Sequence, residues 1–243
     1  MSRPPRTIAA LVRHGDYHQL PDTPSAHQPF PLTERGEAQA AAAGHAVAST
    51  LAAEGWRLDE TIDASQLLRA WQTAEGLREV LREVGYQAAT GGSELRVESV
   101  VALAERGLGS AANLSLEQIA RAVEADPRCE ALPVDWKSNS HFCLPLPGAE
   151  SLMEAGERVA EHLESRMAAL AARAGQDTLK LFIGHGAAFR HAAHRLGVLA
   201  FDDIARLSMY HAVPVYLERD AQGRWRHIGG CWKVRAGAAD DRD

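Results

Sequence analysis

The chain has 243 residues, 46% of them hydrophobic and 24% charged, which is enough for one large domain or two small ones and excludes intrinsic disorder as its main state. A formal charge of -6 excludes a nucleic-acid coat, which needs a basic face, and leaves room only for a local basic pocket. Cys129, Cys143 and Cys231 are widely spaced and odd in number, the pattern of reduced thiols and not of a disulfide framework or a zinc site.

Thr7 to Val12 is a short apolar run, the pattern of a strand buried on both faces of a sheet, and it stops at Arg13-His14-Gly15. Gln19 to Pro31 holds four prolines among polar residues and reads as loop; Thr33 then caps an alanine-rich helix to about Ala53. Glu60 to Ala64 reads as a second strand and Leu67 to Val84 as a second helix, ended by Gly85. Leu95 to Val101 is a third predicted strand, followed by Leu103-Ala104-Glu105-Arg106-Gly107. From Ser110 the pattern weakens. One short helix is predicted over Leu116 to Ala125, and proline-rich Asp126 to Pro147 reads as a long irregular excursion. Ser151 to Glu154 is a capping box that opens a helix to about Ala174. Thr178 to Ile183 reads as another buried strand, ending at Gly184-His185-Gly186 before a helix over Ala187 to Leu196. Val213 to Glu218 and Trp225 to Ile228 read as a closing hairpin, with Pro214 marking the first of the two as an edge strand. The tail from Ala236 to Asp243 is expected to be disordered.

Strands separated by long helices predict an α/β fold: a three-layer sandwich with a mostly parallel central sheet flanked by helices on both faces. In such sheets ligands bind beyond the carboxyl ends of the strands, which points to Arg13, His14, the segment Ser65 to Arg69, Glu105 and His185. Two histidines and one or more arginines converging on a helix N-terminus describe an anion site with a nucleophile in it. Helix-start amides and planar guanidinium forks favour phosphate, and a neutral imidazole can attack phosphorus. The departing alkoxide then needs a proton from a placed acid.

Five motifs in order carry a family resemblance: Leu11-Val12-Arg13-His14-Gly15, Pro31-Leu32-Thr33-Glu34-Arg35-Gly36-Glu37-Ala38-Gln39-Ala40, Ser65-Gln66-Leu67-Leu68-Arg69-Ala70-Trp71-Gln72-Thr73-Ala74, Leu103-Ala104-Glu105 and Gly184-His185-Gly186. They resemble the signatures of the histidine phosphatase superfamily, also called the phosphoglycerate mutase-like family. Gly148-Ala149-Glu150-Ser151 is similar to the segment before that family's long helix. The resemblance implies that His14 is the nucleophile, that Arg13, Arg69, His185 and Gly186 hold the phosphoryl group, and that Glu105 is the proton donor. His18, in Asp16-Tyr17-His18, resembles a further substrate-binding position of the protein phosphatases in the family.

The mutases of the family follow their acidic residue with Tyr-Gly-x-Leu-x-Gly-x-Asn-Lys, whereas Glu105 is followed by Arg-Gly-Leu-Gly-Ser-Ala-Ala-Asn. Hydrolysis of a phosphomonoester, small molecule or phosphoprotein, is therefore the expected activity, with no metal and no cofactor. The alternatives are mutase-type phosphotransfer and an inactive phosphate-binding relative. Residues 1–235 are expected to form one domain, with 110–147 as a cap-like insertion. Arg106 reads as a surface charge; Arg190 and His211 are lesser candidates for lining the site, and His191 and His194 read as packing or surface residues. The 23 arginines, against Lys137, Lys180 and Lys233, reflect composition for the most part, with Arg78, Arg82, Arg158, Arg166 and Arg173 placed on helix surfaces. No apolar run is long enough for a membrane span, and Met1 to Arg13 lacks the apolar core of a signal peptide, so a cytoplasmic protein is expected.

Overall fold

The computed structural model describes residues 3–86 and 94–235; the expected tail at 236–243 lies outside the described residues. Strands β1 (Thr7–Arg13), β2 (Arg57–Ser65), β3 (Arg96–Val100) and β4 (Thr178–Gly184) alternate with helices α1 (Glu34–Glu54), α2 (Leu68–Glu83), α3 (Leu116–Glu124) and α4 (Leu152–Arg173). Then follow α5 (Gly186–Arg195), α6 (Phe201–Arg206), β5 (Leu207–Ser208), β6 (Val215–Arg219), β7 (Trp225–Gly229) and β8 (Lys233–Val234). Six strands form one sheet in the order β3-β2-β4-β1-β6-β7. The first four run parallel, and β6 and β7 are antiparallel to their neighbours.

The alternation of side chains along β1 shows why the sheet is covered twice. Ile8, Ala10 and Val12 pack with Val47 and Leu51 of α1 and with Leu77 and Leu81 of α2, while Ala9 and Leu11 pack with Val159, Leu163 and Met167 of α4 and with Phe189 of α5. A strand so placed has no polar face, which is the uninterrupted apolar run of the sequence. The helix starts are fixed by side-chain caps: the Thr33 hydroxyl accepts from the Gly36 amide, and Ser151 and Glu154 form a reciprocal capping box.

The hairpin is present, but its first strand is not an edge. β6 lies between β1 and β7. Pro214 precedes the first ladder residue, Val215, so its missing N–H removes no bond from the ladder. Two-residue β5 and β8, paired to each other, and α6 were not predicted. The excursion encloses a small core of its own, in which Leu108, Ala111, Ile119, Trp136 and Leu144 pack with Ala26 of the proline-rich loop.

Arg173 of α4 is exposed as expected and Arg166 is half-buried, yet each reaches a buried carboxylate. Arg166 forms two 2.8 Å bonds to the buried Asp63 and also binds Glu98, and Arg173 binds the buried Asp59. Lys180 in the middle of β4, 1% exposed, reaches Asp59 at 3.1 Å and Asp63 at 2.8 Å. The helix face meets a strand that carries carboxylates, and a buried charge needs a partner.

Candidate active site

At the carboxyl ends of β1 and β4 the chain turns sharply, and the structure brings Arg13, His14, Arg69, His185 and Gly186 together. His14 is 3% exposed, and its backbone N–H donates to the Gly184 carbonyl at 2.9 Å. Its Nδ1 lies 2.7 Å from the Gly15 carbonyl. A carbonyl can only accept, so Nδ1 carries the ring proton and Nε2 keeps its lone pair. The ring centroids of His185 and His211 lie 5.1 and 5.6 Å from that of His14, and the Tyr17 ring stands edge-on to it at 5.2 Å.

The turn after His14 is held by the other motifs. Gly15 N–H donates to the Thr73 hydroxyl and Asp16 N–H to the Gln39 side chain, and the Thr33 hydroxyl donates to the Asp16 carboxylate at 2.8 Å. Gly36 is required by contact: a Cβ there would lie 1.9 Å from the Asp16 carbonyl oxygen, backbone against backbone. At Gly186 a Cβ would come within 3.2 Å of Arg13 Cδ, so this glycine lets the Arg13 side chain lie against the start of α5.

Arg69 is fully buried at the first turn of α2. Its Nη1 donates to the Gln28 carbonyl, and its Nη2 faces the carbonyls of Ser25 and Ala26 and, at 3.3 Å, Nδ1 of His185. Two hydrogens serve three acceptors, which makes the longest contact, that to His185, the weakest. Arg69 Nε is buried without a hydrogen-bond partner among the described residues. His185 accepts at Nδ1, so its proton sits on Nε2 and is donated to Ser65 Oγ at 2.9 Å.

Burial first, then the positive field of Arg69, holds both histidines well below the ordinary pKa of 6.5. Both rings are neutral at pH 7. The cationic character of the site therefore comes from the guanidinium groups of Arg13 and Arg69. Arg13 Nη1 donates to the Met209 carbonyl.

Glu105 follows the short 3-10 turn Val101–Leu103 and is 7% exposed; its field reaches Arg69 and Tyr17. Its Oε1 accepts the Arg106 N–H at 2.9 Å, and its carbonyl meets His27 Nε2. Glu105 lines a cavity of about 720 Å³ together with Arg106, Lys137, Ser140 and Arg190. A second cavity, of about 950 Å³, opens beside Arg13, Tyr17 and His211. Among the described residues, no group of three or more His, Cys, Asp or Glu side chains is placed to share a metal ion.

His18 is not brought to this cluster. It is exposed, and its backbone N–H binds the Pro31 carbonyl; the side chain beside the His14 ring is Tyr17, which also lies 4.5 Å from the Arg69 guanidinium. Arg106 is not a surface charge, being 7% exposed over the Trp136 ring. Arg158 is another correction: from α4 it donates to the carbonyls of Ala102 and Ala104 and pairs with Glu150, which fixes the turn that presents Glu105. Arg190 is tied to the carbonyls of Gly186, Ile204 and Leu207. His191 packs as expected, between the Ala187 carbonyl and Ser140 Oγ.

No curated protein matches the chain by sequence. Among solved structures, the fold is similar to a mycobacterial glucosyl-3-phosphoglycerate phosphatase complexed with VO3, at 22% identity and a TM-score of 0.62 over 95% of this chain and all of that one. A structure described as mycobacterial hydrolase 1 aligns at 22% identity and a TM-score of 0.65 over 96% of this chain and all of the other. A phosphoglycerate mutase from Bacillus anthracis aligns at 16% identity and a TM-score of 0.66 over 93% of each chain. At these identities the likenesses establish a shared fold. The sequence from residue 9 to 227 matches the histidine phosphatase superfamily (branch 1). With the ordered motifs and the mostly parallel sheet, that match makes the chain a member of the histidine phosphatase superfamily.

Proposed function

We propose that the protein is a phosphomonoester hydrolase that acts through a phosphohistidine on His14, as a metal-independent, acid-type histidine phosphatase. The observation that carries the reading is the state of the His14 ring: neutral, buried beside two arginines, and held by the Gly15 carbonyl in the tautomer that keeps the Nε2 lone pair for attack. His14 Nε2 attacks phosphorus, the bond from phosphorus to the ester oxygen breaks, and that oxygen takes a proton from Glu105. Water then attacks the phosphohistidine and gives a proton to the Glu105 carboxylate. The electron pair of the nitrogen–phosphorus bond returns to Nε2 and inorganic phosphate leaves. Arg13 and Arg69, with the start of α5 at Gly186, bind the phosphoryl oxygens, and His185 joins them by taking up a proton at Nδ1 when the dianion arrives. The unpartnered Arg69 Nε and the weak Arg69–His185 contact supply donors to an arriving anion without breaking a strong bond. Residues 110–147 form a cap over the leaving-group side, and His18 has no part in the reading.

The substrate class is a phosphorylated small molecule, as for the structurally similar glucosyl-3-phosphoglycerate phosphatase, and the cavity of about 720 Å³ beside Glu105 is of a size for its alcohol half. The test is hydrolysis of p-nitrophenyl phosphate in EDTA. Phosphate release inhibited by vanadate and lost in His14→Ala is the expected result, and no release, or release unchanged in His14→Ala, overturns the reading. Formation of 2-phosphoglycerate from 3-phosphoglycerate, primed with the bisphosphate and faster than phosphate release, would establish the mutase instead.

A further inference from the structure

Arg69 and Glu105 come from distant parts of the chain, and the reaction proposed above needs them at a fixed separation, because a proton donor must stay within hydrogen-bond reach of the oxygen it protonates. Arg69 is held by the loop ahead of α1, where the carbonyls of Ser25, Ala26 and Gln28 turn toward its guanidinium. That loop is braced by its own side chains. The buried Gln28 amide donates to the Pro24 carbonyl and accepts the Leu20 N–H, each at 2.9 Å, and Ala26 packs in the small core of the excursion. Glu105 is carried by the turn after β3, whose Ala102 and Ala104 carbonyls are held from the other side by Arg158.

The half-buried His27 stands between the two. The carbonyls of its chain neighbours, Ala26 and Gln28, serve Arg69, while its own ring reaches the turn and donates from Nε2–H to the Glu105 carbonyl at 3.0 Å. A Cβ on Gly107 would lie 3.7 Å from its Cε1, so the ring covers the backbone on both sides of Arg106. Among the described residues, this is the one hydrogen bond that joins the loop 23–28 to the turn 101–105. We propose that His27 is a positioning residue that ties the loop holding Arg69 to the turn presenting Glu105, and so sets the proton donor against the phosphoryl group. The role acts through Glu105 and rests on the hydrolase reading above.

The leaving group gives the readout. A misplaced acid matters for phenyl phosphate, whose alcohol needs the proton, and little for p-nitrophenyl phosphate, whose alcohol leaves as an anion. His27→Ala is expected to lower kcat/KM for phenyl phosphate about tenfold or more, and for p-nitrophenyl phosphate by less than about threefold. His27→Gln, which keeps an N–H at that reach, restores most of the loss. Vanadate affinity, which reads the Arg13 and Arg69 side, stays at the parent value in both variants. No loss on phenyl phosphate, or equal losses on the two esters with weakened vanadate binding, overturns the proposal. Because His27 acts through Glu105, adding His27→Ala to Glu105→Gln costs nothing further on phenyl phosphate, and additive losses also overturn it. A Glu105→Gln protein whose losses ignore the leaving group defeats the hydrolase reading at its proton donor instead. The tie is then read without turnover, from amide exchange. The Arg106 and Gly107 N–H groups, bonded to Glu105 Oε1 and Glu150 Oε1, exchange faster in His27→Ala and at the parent rate in His27→Gln. Exchange unchanged in His27→Ala overturns the tie.

Discussion

Two groups of charge flank the sheet, one where α4 crosses β2, β3 and β4 and one past the carboxyl ends of the strands, and the two follow opposite rules. Along the strands, Asp59, Asp63 and Glu98 face Lys180, Arg166 and Arg173, three carboxylates against three cations, with His162 added to Asp63 at 2.7 Å. Past the ends, Arg69 is held by the carbonyls of Ser25, Ala26 and Gln28. Carboxylates cancel a cation's field; carbonyls hold its geometry and leave its charge for something else. The first group is architecture and the second is readiness for an anion, and the difference shows only in what each cation is bonded to.

The largest expected effect tests the architectural half. Asp63→Asn leaves Lys180 with Asp59 alone and Arg166 with the half-exposed Glu98 alone, and should lower the unfolding free energy by about 3 kcal/mol, read from urea denaturation. The kcat/KM of the folded fraction should stay within about threefold of the parent; a larger loss would mean that the two groups are not separate.

Arg69→Gln reverses the pattern. A loss of about 10²- to 10³-fold in kcat for p-nitrophenyl phosphate is expected, and Arg69→Lys should not restore it, because an ammonium cannot replace the fork.

His191 belongs to neither group, being buried and neutral. Burial lowers its pKa to about 4 in the folded protein, against 6.5 when exposed, so on acidification the unfolded chain takes up the proton first. Its contribution is whole above about pH 6.5 and declines toward pH 4, by about 3 kcal/mol in all. His191→Gln should flatten the stability profile over that window by the uptake of one proton. His14 and His185 act in the same direction, so part of the slope must remain.

The smallest effect concerns placement. Arg158→Met keeps the stem but releases the carbonyls of Ala102 and Ala104, and a drop in kcat of about tenfold is expected, below the roughly 10² limit for a displaced group. If Glu105 is the proton donor, the loss should be smaller for esters with acidic alcohols, which leave without help.

The sequence was most legible where local pattern and function coincide. His14 follows an apolar run and His185 one broken only by Lys180, and Arg13, Arg69 and Glu105 flank strand ends, so a one-dimensional reading finds them. Arg158 and Arg166 defeat it, and the exposed Arg173 hides its bond to Asp59. On a helix they look like solvated charges, and only the packing of α4 against Asp59, Asp63 and the turn before Glu105, far away in sequence, gives them partners. Arg106 fails for the same reason, since the Trp136 that covers it comes from a segment with no regular period. β5 and β8 have two residues each, too few for any alternation to register, and Pro214 misled because a proline just before a strand and one within an edge strand look alike in sequence.

The short strand β8 has a practical consequence. Lys233 stands on the wall of the cavity beside Arg13, and Arg235, whose backbone N–H binds the Arg206 carbonyl, stands on the wall of the cavity beside Glu105. A group attached on the carboxyl side follows Arg235, which already stands on a cavity wall. The chain ahead of Thr7 enters β1 at the opposite rim of the sheet. Purification tags, surface tethers and fluorescent reporters therefore belong at the amino side, where they leave the approach to the site clear.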